Sequence, residues 1–502
     1  MAVCLATGAG KLPIAAGAVF AVGIFVCVLF SPYLGLLLSV GFLPFHPFAS
    51  FYLPSLGSVW MGAAIRDGLA GAVLLGWLIH RRFKADRRLT GSEKFALVYV
   101  FLLALYIPAS PVLEGALAAF RNLAGYIILM TVAADTINTP KRLRAVLLVA
   151  IIAASVSAAI GIAEVFTDRQ IFDVIGYDFF SFLGADIPVT LLGTARATGG
   201  TGNPLEFGLH LSWVAILCIA LVWGKMTPIR PRYLLLLLLI LLAAIAVTFA
   251  RSAYLAFAVG FLTMAVLLEK RRAVIPLGAA VLVWLLLAST PVGDLLFSRV
   301  TLRDTPGQQT IEGRREVLEQ VFSMRLRWWG GDGLGTQGAS LARSGLDPYI
   351  RVTDGYYVIL LLQVGFLPVL AFLIVTGSLA RKFIHLARSK SDPAVRALGA
   401  AGAALVVMVL ANSVASSAFE SRSLNIVFWV LMGSFLAPSG WPRSFRQKGA
   451  ISAVQPVRTG PTQLSRSEPV PVAHSQPRPC GEQRREPAPQ DATIAPHRAV
   501  SS

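Results

Sequence analysis

Three short stretches concentrate the residue types that grip anions or move protons. The first runs from Arg196 through Gly199, Gly200 and Gly202 to Asn203, Pro204 and Glu206. Asn203 is a good helix cap, Pro204 suits the first helical position, and Glu206 falls where a capping-box acid sits. A helix is therefore predicted to start here with its free N–H groups presented outward. Those groups, the positive end of the helix dipole, close backbone approach at the glycines and the permanent cation of Arg196 are the parts of an anion site. The same residues also describe an ordinary glycine-rich loop capping a helix, with Arg196 at a lipid headgroup. The second stretch is Thr248-Phe249-Ala250-Arg251-Ser252, where two apolar runs meet with almost no polar turn between them. Ser252 is predicted to cap the later helix, and Arg251 stands at the tip, where a cation must snorkel, pair or bind something. The third is Arg351-Val352-Thr353-Asp354-Gly355-Tyr356-Tyr357, again just before a helix start, with Asp354 either a cap or an acid/base group.

Between the second and third stretches lie Gly313-Arg314-Arg315-Glu316, predicted to open an amphipathic segment through Phe322, and then Trp328-Trp329-Gly330-Gly331-Asp332-Gly333-Leu334-Gly335. A tryptophan pair beside a glycine turn suits the membrane interface, so this long loop is expected to cover the membrane surface. His210, about two helical turns beyond Asn203, reads either as a packed histidine or as a substitute acid/base group.

The elements that must position these residues are membrane helices. Of 502 residues, 56% are hydrophobic and 14% charged, with a mean hydropathy of +0.69; a soluble chain carries roughly a quarter charged residues. Apolar runs of helical length fall near 12–48, 61–80, 95–109, 113–134, 143–166, 205–223, 233–250, 252–269, 273–289, 356–380, 397–415 and 424–438. A span takes about twenty such residues. The fold class is therefore all-α, a polytopic bundle of about 12 transmembrane helices over residues 1–438. The first run holds Pro13, Pro32, Pro44 and Pro47 and is either two short passes or one kinked pass with a partial re-entry.

Lys and Arg fill alternate connections: Arg81 to Arg88, Lys141 to Arg144, Lys225 to Arg232, Lys270 to Arg272, and Arg381 to Lys390. By the positive-inside bias all of these are cytoplasmic. That puts the long loops near 167–204 and 290–355 on the far side, the latter between spans ending near 289 and starting near 356. Residues 439–502, rich in Pro, Arg, Gln and Ser, are expected to be a disordered basic cytoplasmic tail.

The net charge of +18 is spread over these loops and the tail, which suits topology signals and anionic lipid. It forms no basic face interleaved with aromatics, so nucleic acid is not an expected partner. Cys4, Cys27, Cys218 and Cys480 show no CxxC or zinc spacing, and no metal site or cofactor is expected. The N-terminal run has Lys11 as its basic residue and no clear cleavage site, so it is read as a retained helix rather than a signal peptide.

Taken in order, these stretches resemble the O-antigen ligase and polymerase superfamily of bacterial envelope proteins. The resemblance covers residues 196–365 and rests on R-x-x-G-x-x-x-N-P from Arg196, the T-F-x-R-S hairpin at Arg251, the R-R pair followed by G-D-G-L-G, and D-G-Y-Y followed by Q-V-G-F. Where the family commonly has a histidine followed by Asn, this chain has Asp354-Gly355. The resemblance implies a multi-pass bacterial inner-membrane enzyme: a metal-independent, inverting glycosyltransferase taking a glycan from an undecaprenyl pyrophosphate carrier on the periplasmic side. Its acceptor would be a growing polysaccharide, a lipid or a protein. Family arginines hold the pyrophosphate, and Arg196 and Arg251 are the leading matches, with Arg314 or Arg315 next and Asn203 and Arg351 in the same motifs. Asp354 would be base or orienter. Arginine forks suit phosphate oxygens, and charge on the leaving pyrophosphate grows in the transition state.

Two other classes fit parts of the sequence. A transporter or flippase for an anionic lipid-linked saccharide would also need arginines, though such folds place polar groups near mid-membrane. A non-catalytic assembly partner would act through the tail.

Overall fold

A computed structural model of the chain describes residues 22–46, 60–81, 89–169, 190–191, 194–226, 229–269, 319, 329–338, 341, 355–389 and 392–437. In chain order the helices are α1 (Pro32–Phe42), α2 (Trp60–Arg81), α3 (Gly91–Leu105), α4 (Leu113–Phe120), α5 (Ile128–Thr136), α6 (Pro140–Thr167), α7 (Pro204–Trp223), α8 (Pro231–Val247), α9 (Arg251–Leu267), α10 (Tyr356–Val364), α11 (Phe366–Arg388), α12 (Pro393–Ala415) and α13 (Arg422–Leu436). A two-residue antiparallel ladder pairs β1 (Thr190–Leu191) with β2 (Thr194–Ala195). Five helical stretches are long and apolar enough to cross a bilayer: Leu113–Thr136, Pro140–Thr167, Pro204–Trp223, Phe366–Arg388 and Pro393–Val414. Shorter apolar helices at Pro32–Phe42, Pro231–Val247, Arg251–Leu267 and Ser423–Leu436 pack with them. The apolar run near 273–289 and the tail 439–502 lie outside the described residues.

The outward faces carry what a lipid-facing surface needs. Val98 and Phe101 on α3, Leu235, Leu236 and Leu239 on α8, and Leu367, Leu370 and Leu373 on α11 are all exposed. Apolar exposure on that scale is stable only against hydrocarbon.

The centre of the bundle is built on α7 and α13. Almost every residue of both is buried, and Trp213 of α7 meets Phe428 of α13 with ring centroids 5.5 Å apart. Helix α7 also packs against α6, α8, α9 and α12, and α13 against α5. Small residues set the closest crossings, as expected where lipid removes most of the hydrophobic drive. A β-carbon at Gly433 would sit 2.2 Å from the Met130 carbonyl oxygen of α5, and one at Gly208 would sit 2.7 Å from Ala253 of α9.

Of two runs expected as single passes, one keeps its length with a π-helical turn inside it and the other is broken. The run near 113–134 forms α4, one turn of π-helix at Arg121–Gly125, and then α5. The run near 356–380 breaks at Gly365, whose φ of 75° ends α10 before α11 begins. The break folds the chain back: Tyr356, at the start of α10, has its ring centroid 5.3 Å from that of Phe372 in α11. One straight helix would hold these residues about 24 Å apart. Helix α10 is thus a short return segment, its first amide donating to the Ser416 carbonyl at the end of α12. In the first run, residues 22–30 and α1 are separated at Ser31, where Pro32 cannot continue the hydrogen-bond ladder.

Candidate functional site

The Arg196 stretch folds as a loop clamped between α6, α7 and the α8–α9 turn. Helix α7 starts where its caps predict: Asn203 Oδ1 accepts from the Leu205 amide at 2.9 Å and Pro204 fills the first helical position. The capping-box expectation for Glu206 is corrected. Its carboxylate accepts the Ser421 hydroxyl at 2.5 Å, tying the start of α7 to the start of α13, while the Asn203 amide turns to Thr201 Oγ1.

The amides at the start of the glycine loop are held from within the protein. Glu164, near the end of α6, accepts from the Thr198 amide at 2.6 Å, the Gly199 amide at 2.9 Å and the Thr198 hydroxyl at 3.0 Å. An internal carboxylate, 2% exposed, therefore takes these loop amides, which are distinct from the N–H groups at the start of α7. Gly199 is needed there: its φ is +55°, and a β-carbon would fall 2.2 Å from the Phe207 ring.

Arg196 lies 9% exposed over the α8–α9 turn. Its Nε donates to the Thr248 carbonyl at 3.1 Å, and the Ala197 amide donates to the Val247 carbonyl at 3.2 Å. Burial pushes the Arg196 pKa down to about 10, Tyr254 opposes that shift and the like charge of Arg251 adds to it. Arg196 thus stays a cation at neutral pH. The turn itself is very tight: Phe249 takes a φ of 49°, and Thr248 Oγ1 accepts the Ala250 amide at 3.2 Å. Ala250, not Ser252, holds the N-cap position of α9, with no side-chain cap of its own; Ser252 sits inside the first turn with its hydroxyl buried and unpartnered. Arg251 opens α9 and is exposed. The two predicted arginines, 55 positions apart in the chain, are held at one hairpin.

Residues 329–338 fold in part into the helical core. Trp329 is 77% exposed, but Leu334, Thr336 and Gln337 are buried among helix ends. The break after α10 supplies the acceptors: Asp332 and Gly333 amides donate to the Leu362 and Gln363 carbonyls at 2.7 and 2.9 Å. Gln363 closes the clamp, Oε1 accepting from the Gly335 amide at 2.8 Å and Nε2 donating to the Gln337 carbonyl at 3.2 Å. Leu334 donates to Ser110 Oγ at 2.8 Å in the α3–α4 turn. Exposing Trp329 while threading the glycines inward makes this stretch a plug between the α3–α4 turn and the α10–α11 break.

A narrow, shallow cleft opens beside the start of α7, lined by Thr201, Glu206, His210, Ser423, Leu424, Val427 and Pro44. His210 is 2% exposed and its Nε2 has no hydrogen-bond partner. It is a packed histidine whose ring borders a cleft with a carboxylate one helical turn away. Of the remaining expected site residues, Asp354, Arg314, Arg315 and Arg351 lie outside the described residues.

Sequence reasoning missed Glu164 and a second charged cluster. Asp67 of α2 accepts from Arg66 Nε at 2.9 Å, from Tyr126 Oη at 2.6 Å and from Arg121 Nη1 of the π-helical turn at 2.5 Å. The signal that would have found it was present, since ionisable residues inside apolar runs are functional candidates by default. No protein-family model matches the chain, and no curated protein matches it significantly.

Proposed function

We propose that this chain is a membrane-embedded glycosyltransferase of the O-antigen ligase and polymerase type, moving a glycan from an undecaprenyl pyrophosphate carrier to a polysaccharide or lipid acceptor. In this reading it resides in a bacterial inner membrane with about twelve spans, and the Arg196 loop, the Arg251 hairpin and residues 290–355 face the periplasm. One observation carries the proposal: the Arg196 loop is docked on the α8–α9 turn, so that Arg196 and Arg251 stand together at one mouth of the bundle.

The chemistry follows from that pair. An acceptor hydroxyl oxygen bonds to the anomeric carbon as the bond from that carbon to the diphosphate oxygen breaks. The diphosphate leaves with the electron pair, and the acceptor proton passes to a base, for which Asp354 is the candidate. Negative charge grows on the leaving group, where guanidinium forks stabilise the transition state more than the ground state. With the amides of Thr198 and Gly199 already held by Glu164, the grip on diphosphate falls to the arginine side chains.

The test is genetic. In a deletion strain, wild-type chain restores long surface glycan and Arg251→Ala does not, although it reaches the membrane in equal amount. Loss of long chains with one repeat still attached marks a polymerase; carrier-linked polymer without attachment marks a ligase. Normal glycan with Arg251→Ala ends the proposal.

A further inference from the structure

The Arg66–Asp67–Arg121–Tyr126 cluster stands apart from the arginines assigned to diphosphate, and its hydrogen-bond accounting is unbalanced. The Asp67 oxygens already accept three donors, from Arg66, Arg121 and Tyr126. Arg66 Nη2, Arg121 Nε and Arg121 Nη2 are buried and have no hydrogen-bond partner. Arg66 as a whole is only 4% exposed. Two guanidinium cations face one carboxylate, so the cluster holds a net charge of +1; Arg66 is buried, and the Arg121 and Asp67 side chains are 26% and 25% exposed although the unfilled nitrogens themselves are covered. A buried cation left so is expensive unless something anionic completes it.

Position narrows what that is. Arg66 comes six residues after Trp60 at the start of α2, and Arg121 eight after Leu113 at the start of α4, about 9 and 12 Å along each axis. At the other end of α2, Arg81 lies over the Trp77 ring, 4.7 Å from its centroid. The cluster therefore lies in the half of α2 away from Arg81, about two helical turns in from the start of α2 and of α4. Its scaffold is specific: the π-helical turn carries Arg121, and the Asn122 carbonyl in that turn accepts Asn425 Nδ2 of α13 at 2.6 Å. Single π-turns inside α-helices recur at functional sites.

We propose that Arg66 and Arg121 form a binding site for a phosphodiester monoanion, with Asp67 and Tyr126 fixing the two forks. One negative charge neutralises the surplus of one, which a diphosphate would exceed. The oxygens of a phosphodiester can take the Arg121 Nε and Nη2 pair side by side while a third donor comes from Arg66 Nη2. Such a group reaches this depth as the headgroup of an anionic phospholipid, or as a phosphodiester within a saccharide. The site does not depend on the glycosyl-transfer reading.

The test uses the full chain in neutral maltoside micelles, titrated with phosphatidylglycerol and followed by native mass spectrometry. Wild-type protein is expected to bind phosphatidylglycerol at least tenfold more tightly than Arg121→Gln. Arg121→Lys, which keeps the charge without the fork, is expected between them. Competition by soluble glycerophosphodiester assigns recognition to the phosphate group itself, and a tenfold loss without such competition assigns it to the lipid. Wild-type protein, whatever the variants do, should also gain unfolding temperature with phosphatidylglycerol and not with phosphatidylcholine. Equal phosphatidylglycerol affinity in the folded variants, or equal unfolding shifts with both lipids, overturns the proposal.

Discussion

The Arg196 loop and the Arg66–Arg121 cluster both set a buried arginine near a carboxylate, Glu164 buried at the first and Asp67 a quarter exposed at the second, yet they are completed in opposite ways. At the loop, Glu164 takes both backbone amides and a hydroxyl, and Arg196 is anchored on the Thr248 carbonyl. At the cluster, one carboxylate faces two guanidiniums and three guanidinium nitrogens are left without partners. A recognisable glycine motif can thus be satisfied internally, while a site without any motif keeps unfilled donors. The difference separates scaffold from grip: at the first site side chains such as Arg251 remain to meet a ligand.

The most damaging way to break the comparison is at Glu164. Replacing it with Ala leaves two amides and a hydroxyl without their acceptor in a site water does not reach, and is expected to cost about 3–5 kcal/mol. Glu164→Gln, which keeps one acceptor, should cost roughly half as much. Unfolding temperature and monodisperse yield in detergent check this; an Ala variant as stable as wild type would show that the loop is not held as described.

Next is Gly335→Ala in the plug. The residue has a φ of +84°, and its β-carbon would lie 2.3 Å from the Gly115 carbonyl carbon. Backbone strain and overpacking together predict a loss of about 2–4 kcal/mol. An unchanged unfolding temperature would mean that the plug sits elsewhere.

Asn425→Ala removes the 2.6 Å donor to the Asn122 carbonyl and should cost about 1–2 kcal/mol. Because that bond supports the turn carrying Arg121, phosphatidylglycerol affinity should weaken with it, and undiminished affinity would detach the turn from the cluster. The smallest stability effect belongs to Arg251→Ala. The side chain is exposed, so the change should stay within about 0.5 kcal/mol while surface glycan is lost. A large drop in stability would make Arg251 a structural residue.

Local signals were legible in the sequence where they acted locally. Asn203 and Pro204 mark the start of α7, and the missing polar turn between α8 and α9 marks their hairpin. The same reading misplaced Glu206 and Ser252, because short-range capping rules cannot see Ser421, 215 positions away, nor a turn capped by Thr248. The fold-back of α10 was hidden for a related reason. Hydropathy sees an unbroken apolar run from 356 to 380, and only Gly365, a single residue with φ of 75°, divides it. Glu164 carried no local signal inside the apolar run near 143–166, since its partners come from a loop 34 positions later. The pairing of Arg196 with Arg251 was anticipated only through the resemblance; the spacing of either motif alone does not specify it.

The central claim is tested most directly with the full chain reconstituted in liposomes with an undecaprenyl-pyrophosphate-linked oligosaccharide. Release of undecaprenyl pyrophosphate would be followed together with growth or transfer of the glycan, with a chelator present. Release coupled to a new glycosidic linkage is the expected result, falling at least about a hundredfold in Arg196→Ala and Arg251→Ala, the scale typical of losing one transition-state charge stabiliser. Movement of the intact lipid-linked saccharide across the bilayer without release, or arginine variants that turn over at the wild-type rate, would contradict it.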